Sequence, residues 1–199
     1  MAGAGVVLVA GCGSAAGPSD AELVERARQI GVDKELVHVM ELKGFRRAVG
    51  AMGVYGDDGF QDVYVSDTGV DVRLTVERRG LTVADCPRLP IPAMDVAGAG
   101  VRCVQDGDGW RRTGGDRQEY AVTRGDLLVR VSGQVGRTTF GLLRDAAAGA
   151  KPASPAQLDE MLPPANGSGS GGGEISPPPR GDLPPHGDGA PDNHVGPGG

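Results

Sequence analysis

Lysine is nearly missing from this chain. It stands at positions 34, 43 and 151, and all other basic residues are Arg. With abundant Ala, Gly, Val, Asp and Pro, such usage is what a GC-rich coding sequence produces. Aromatic residues are scarce too, at 4%, so the core has to be built from Val, Leu and Ala. Positive charge is not in excess. The formal net charge is −6, and Arg78, Arg79, Arg111, Arg112, Arg117 and Arg124 are interleaved with Asp and Glu, so the basic stripe that a nucleic-acid partner selects for is absent. No apolar run reaches the roughly 20 residues of a membrane-spanning helix. Any attachment to a membrane then needs another device.

The N-terminal segment supplies a candidate for that device. Ala2 to Ala10 is a short apolar region that ends in Val9-Ala10-Gly11-Cys12. This resembles the bacterial lipobox, in which small residues precede a Cys that receives a diacylglyceryl group, the peptide being cut just before it. Small side chains suit a peptidase that closes around the backbone. Behind Cys12 the chain reads Gly13-Ser14-Ala15-Ala16-Gly17-Pro18, a flexible tether that lets a domain stand off a bilayer. Each buried methylene of an acyl chain contributes about 0.8 kcal/mol, and two long chains anchor stably where one does not. The front end departs from the pattern, because Met1-Ala2-Gly3-Ala4-Gly5 holds no Lys or Arg where a signal has a basic region. Either the start codon lies upstream or the motif is accidental. In the accidental case VVLVAG is a buried strand ending in a Gly turn.

Cysteine arithmetic favours the first case. The chain has three Cys, at 12, 86 and 103, and an odd count in an exported protein leaves a thiol to explain. Lipidation of Cys12 removes the oddity and leaves Cys86 and Cys103 as a disulfide pair, which persists outside the cytoplasm. Closing that loop of about 18 residues stabilises the fold by about 3 kcal/mol on the chain-entropy model. The alternative is two independent buried thiols. A zinc site lacks a second Cys pair or nearby His to complete four ligands.

The body of the chain reads as α+β. Ser19 is an N-cap for a helix with Glu22 in its first turn and Leu23, Val24, Ala27 and Ile30 at helical spacing, ended by Gly31. Candidate strands follow at Leu36–Leu42, Ala48–Tyr55, Phe60–Ser66 and Val70–Arg78, with turn chemistry at Gly56-Asp57-Asp58-Gly59 and Asp67-Thr68-Gly69. In the last of these strands Val70, Val72, Leu74 and Val76 alternate with Asp71, Arg73, Thr75 and Glu77, which predicts one buried and one wet face. The segment 80–100, with Cys86-Pro87 and Leu89-Pro90-Ile91-Pro92, is a loop, since Pro cannot donate to a ladder. A second meander is expected at Val101–Gln105, Trp110–Thr113, Glu119–Thr123 and Leu127–Ser132. Helices are expected at Thr138–Ala148, with Phe140, Leu143 and Ala147 on one face, and at Ala156–Leu162 behind Ser154. The predicted fold is an antiparallel β-meander sheet flanked by an N-terminal helix and C-terminal helices. Beyond Leu162, Gly and Pro supply more than half of the residues, and a disordered C-terminal tail is predicted. The organisation is a truncated signal peptide at 1–11, a lipidated tether at 12–18, a globular domain at 19–162 and a tail at 163–199.

Candidates for chemistry are thin. His38 lies between Val37 and Val39, and alternation predicts an exposed or edge position for it rather than a catalytic one. His186 and His194 lie in the tail, where nothing holds them in metal-binding geometry. Asp106-Gly107-Asp108-Gly109 resembles half a calcium loop, but the twelfth position is Arg117 rather than Glu, so a hairpin turn is expected. Arg-Gly-Asp at 124–126 and 180–182 is a chance product of composition. Asp57-Asp58 forms a solvated turn unless other carboxylates join it for acid/base work. Tyr55, Tyr64, Trp110 and Tyr120 serve either a ligand pocket or the core and its cross-strand pairs.

The lipobox, together with Glu35-Leu36-Val37, Val54-Tyr55-Gly56-Asp57-Asp58-Gly59-Phe60, Cys86-Pro87, Cys103, Trp110, Glu119-Tyr120 and Val129-Arg130-Val131-Ser132, is similar to uncharacterised membrane lipoproteins of Streptomyces-type actinobacteria. The resemblance covers about residues 6 to 150. It implies an extracytoplasmic, lipid-anchored protein and brings no catalytic residues, cofactor or metal. The expected function is a non-catalytic binding or interaction module for a protein or small-molecule ligand. A cell-surface enzyme is the alternative, and a cytoplasmic protein with an accidental lipobox the third reading.

Overall fold

The computed structural model describes residues 17–95 and 100–165. The lipobox, most of the tether and residues 166–199 lie outside that range, and so do His186, His194 and the second Arg-Gly-Asp. Helix α1 (Asp20–Gln29) begins on Ser19, whose hydroxyl accepts the Glu22 N–H at 3.3 Å. A 3-10 turn at Lys34–Leu36 leads to β1 (His38–Val39), then β2 (Phe45–Arg47), β3 (Gly53–Tyr55), β4 (Gly59–Ser66) and β5 (Asp71–Arg78). After the loop come β6 (Arg102–Asp106), β7 (Gly109–Gly114), β8 (Arg117–Arg124) and β9 (Leu127–Gln134). Helix α2 (Phe140–Gly149), β10 (Lys151–Pro152) and α3 (Pro155–Met161) close the domain.

Eight strands form one antiparallel sheet in the order β2-β4-β5-β9-β8-β7-β6, with β3 sharing the outer edge of β4 with β2. The fold is the expected α+β meander. Its three later hairpins share one turn: two residues, Gly then Asp, at 107–108, 115–116 and 125–126. Each first residue has positive φ, +61°, +55° and +62°, which Gly adopts without steric cost and which matches the twist of the flanking strands. Asp106-Gly107-Asp108-Gly109 is therefore a hairpin turn, as expected.

Two expected strands are shorter than predicted. Leu36–Leu42 reduces to a turn and the two residues of β1, which pair with β10. Ala48–Tyr55 keeps only β3, because a turn at Val49-Gly50, with Gly50 at φ +75° and Val49 98% exposed, occupies its start; β2, which was not expected, precedes that turn, and β2 and β3 lie end to end along β4.

One face of the sheet carries the core. Phe60, Tyr64, Val72, Leu74, Val76, Tyr120, Val129 and Val131 pack against Leu23 and Ala27 of α1, Leu143, Ala146 and Ala147 of α2, and Leu158 of α3. The other face is not wet along β5, as alternation predicted. Thr75 is fully buried and Arg73 and Glu77 half-buried, because the Pro-rich loop lies across it. Leu89 of that loop joins Ala121 and Leu128 in a second small cluster, flanked by Leu81 and Trp110. Among the described residues, no helix is long and apolar enough to cross a membrane.

Candidate functional site

The loop-covered face combines the buried apolar residues Cys86, Leu89 and Ile91 with buried charge. Register sets Arg112 opposite Glu119 and Ala121 opposite Arg130, with Glu77 opposite Leu128. Arg112 and Glu119 are fully buried and Arg130 nearly so. Arg112 pairs with Glu119 Oε1. Arg130 donates from Nε to Glu119 Oε2 at 3.1 Å and from Nη1 to Glu77 Oε2 at 2.7 Å. The two cations and two anions balance, which offsets a desolvation cost of several kcal/mol per ion only when the remaining N–H groups also find partners. Backbone carbonyls of the loop supply partners for the Nη2 groups, whereas Arg112 Nε is buried without one. Arg112 Nη2 donates to the carbonyls of Cys86, at 3.0 Å, and Leu89, and Arg130 Nη2 to that of Pro90 at 2.5 Å. A Pro-rich segment has few N–H groups with which to satisfy its own carbonyls. A planar guanidinium fork fills that role and a Lys ammonium does not.

The charges in this clasp follow from its geometry. Burial pushes the Arg112 guanidinium below its ordinary range, opposed by Glu119 and reinforced by the Arg130 charge. Burial also acts on Arg130, but Glu119, Tyr55 and Glu77 outweigh it and hold Arg130 above the guanidinium range. Both stay cationic, since arginine starts far above neutrality.

A covalent tie runs beside the clasp. Cys86 and Cys103 form a disulfide with S–S 2.03 Å, joining the loop to β6. The pairing is the one expected from cysteine arithmetic. Further along, the backbone N–H of Asp95 donates to Asp116 Oδ1 at 3.1 Å, and that of Asp116 to Asp95 Oδ1 at 3.2 Å, so the loop also engages the β7–β8 turn.

The clasp reaches the surface at a pocket of about 410 Å3 lined by Tyr55, Asp57, Asp58, Glu77, Arg78 and Arg79. Glu77 is the outer anion of the quartet, and the Tyr55 ring lies 5.6 Å from the Arg130 guanidinium carbon, within cation–π range. Arg78 is oriented by Asp33 at 2.7 Å and Glu35 at 2.9 Å. Asp57 and Asp58 sit exposed on the β3–β4 turn. The wall is therefore hydrogen-bonding and of mixed charge.

Other predicted residues fall elsewhere. His38 is buried, which corrects the exposed position expected from alternation. The β1–β10 pair is only two residues long, and Val37, His38 and Val39 are all enclosed. Its Nδ1 lies 3.1 Å from the Leu36 carbonyl. Burial lowers its pKa, the Leu36 carbonyl opposing and Arg124 adding to the effect. Tyr64 and Tyr120 are core residues, whereas Trp110 packs beneath the loop. No group of three His, Cys, Asp or Glu suited to a metal occurs among the described residues.

Sequence reasoning missed Asp62. It is fully buried on the core face of β4, with Oδ1 accepting the Val63 N–H at 2.8 Å and Oδ2 without a partner. Burial pushes its carboxyl up to about 6, against the Val63 N–H and the Arg47 charge. The signal was present: the two-residue period that turns Phe60 and Tyr64 inward takes Asp62 with them.

No family model and no curated protein matches the chain. A crystal structure from Bacteroides thetaiotaomicron VPI-5482 is similar to it at 7% identity, with a TM-score of 0.26 over 60% of this chain and 49% of that one. This chain thus spans about half the length of that one, and likeness at that score carries no argument.

Proposed function

We propose that the protein is a lipid-anchored, extracytoplasmic membrane lipoprotein of the actinobacterial kind, acting as a non-catalytic binding or interaction module. The observation that carries the reading is the Cys86–Cys103 disulfide. It fits an oxidising compartment and leaves Cys12, in Val9-Ala10-Gly11-Cys12, as the one thiol to be accounted for. The tether behind Cys12 gives the domain reach from the bilayer. The binding reading draws support from four buried ionisable groups that serve the fold. Arg112, Glu119 and Arg130 hold a loop in place, and the Leu36 carbonyl engages His38. The mixed-charge pocket beside Tyr55 suits a small polar ligand or a polar protein segment rather than nucleic acid.

Labelled palmitate should enter the protein in an actinobacterial host and disappear in Cys12→Ala. Label retained in that variant, or none in the parent, overturns the anchor. Titration of the denatured, non-reduced protein should find no free thiol, and three free thiols would remove the export argument.

A further inference from the structure

Strand β6 ends the sheet. Among the described residues, no strand pairs with its outer side. The β6–β7 hairpin closes on Asp106 and Gly109 around a two-residue turn. Counting back from that closing pair, residues 106, 104 and 102 direct their N–H and C=O groups to β7, while Cys103 and Gln105 direct theirs outward. An open edge of this kind is a template for another strand. Its side chains have a particular symmetry. Arg102, Val104 and Asp106 share one face, with a cation at one end, an anion at the other and Val104, 47% exposed, at the centre. Arg102 has no ion-pair partner among the described residues, and Asp106 has only Arg111 at 3.7 Å.

We infer that β6 is a homodimerisation edge, whose partner is β6 of a second copy of this chain, antiparallel and centred on Val104. In that register Val104 meets its own copy, Arg102 faces Asp106 of the other chain twice over, and Cys103 and Gln105 exchange four backbone hydrogen bonds across the axis. Sliding by two residues keeps the hydrogen-bond phase but separates Arg102 from Asp106, so charge selects one register. Opposite charges directly across an antiparallel pair contribute about 0.2–1 kcal/mol each, and like charges there destabilise. Two such pairs and five residues of ladder make a weak, salt-sensitive dimer that extends one sheet into its neighbour. The inference does not depend on the anchor at Cys12.

The test uses the full chain carrying Cys12→Ala, so that no acyl group drives association. Sedimentation equilibrium over a concentration series should show monomer and dimer. Arg102→Asp and Asp106→Arg should each raise the dissociation constant by at least about tenfold, since each sets like charges face to face in both pairs. An equimolar mixture of the two should regain dimer as a heterodimer, because one chain then brings two carboxylates to the axis and the other two guanidiniums, so both pairs are again of opposite charge. Dimer that survives in the single variants, or variants that fail to recover on mixing, overturns the register. A readout needing no variant at the edge is amide exchange in the Cys12→Ala chain: protection of Cys103 and Gln105 should rise with protein concentration. Protection at these amides that does not vary with concentration overturns the proposal, whatever the variants do.

Discussion

Asp62 shows what a single residue does to the whole. Its register partner is Leu74, and its neighbours along the inner face of β4 are Phe60 and Tyr64. The native state keeps the Asp62 proton up to about pH 6, whereas its ordinary value is 3.8. Between those values the native state binds more protons than the unfolded chain, so stability falls as pH rises through this window and levels off above it. At 1.36 kcal/mol per pH unit the loss approaches about 3 kcal/mol. Asp71 runs the other way: burial raises its carboxyl, but Arg117 and Arg73 outweigh this and hold it low, so its stabilising effect is lost only in acid. Comparing parent with Asp62→Asn cancels such terms. Urea unfolding from pH 4 to 8 should show the variant gaining on the parent as pH rises, and a constant difference would refute the assignment. Glu119 carries the opposite lesson. Glu119→Gln keeps the shape but leaves Arg112 and Arg130 short of an anion in a dry site, which should cost about 3–5 kcal/mol in the same assay. Arg78→Ala, which removes only the surface pairs with Asp33 and Glu35, should cost about 1 kcal/mol or less.

At the scale of elements, what could be read from the chain depended on whether a local rule decided the outcome. Ser19, Thr139 and Ser154 each cap a helix through the side-chain oxygen, and two-residue Gly-Asp turns set three hairpins, so α1, α3 and the β6–β9 meander were legible. The shortening of Ala48–Tyr55 to β3, with β2 ahead of the turn, was not, because Val49-Gly50 reads as strand until β4 takes the pieces on either side. The buried clasp was not legible either. Glu77, Arg112, Glu119 and Arg130 occupy alternate positions that look like a solvated face, and only the loop's return across the sheet encloses them. Around residues 86–90 that loop is held by the disulfide and by guanidinium-to-carbonyl bonds, and these two ties are separable. Trp110 is the single Trp and packs against the loop-side cluster of Leu89, Ala121 and Leu128, so its emission reports whether the loop is seated. Reducing the disulfide should lower stability by about 3 kcal/mol while leaving Trp110 emission in the native protein unshifted. Reduction combined with Glu119→Gln should move that emission to the red. A red shift on reduction alone would mean that the clasp does not hold the loop.

The molecule as a whole uses arginine where other domains use aromatic packing. Arg124 of β8 donates to the carbonyls of Ala147, Ala148 and Ala150 and so satisfies the C-terminus of α2. Arg26 of α1 does the same for α3, reaching the carbonyls of Asp159, Leu162 and Pro163 at 2.7, 2.8 and 2.7 Å and the Asp159 carboxylate at 2.6 Å. Helix ends leave such carbonyls without internal partners, and a buried guanidinium with four acceptors binds the first element of the domain to the last. Two truncations test whether this closure completes the fold. A chain ending at Ala165 retains every acceptor of Arg26 and the buried Leu162, and should unfold at the same urea concentration as the parent. A chain ending at Met161 loses the Leu162 side chain and two of the four acceptors, leaving a 5% exposed cation under-satisfied. Its stability should drop by about 3 kcal/mol or more, and Arg26→Met in that shortened chain should recover part of the loss by removing the stranded charge. If the shorter chain matches the longer one, Arg26 is not what closes the domain.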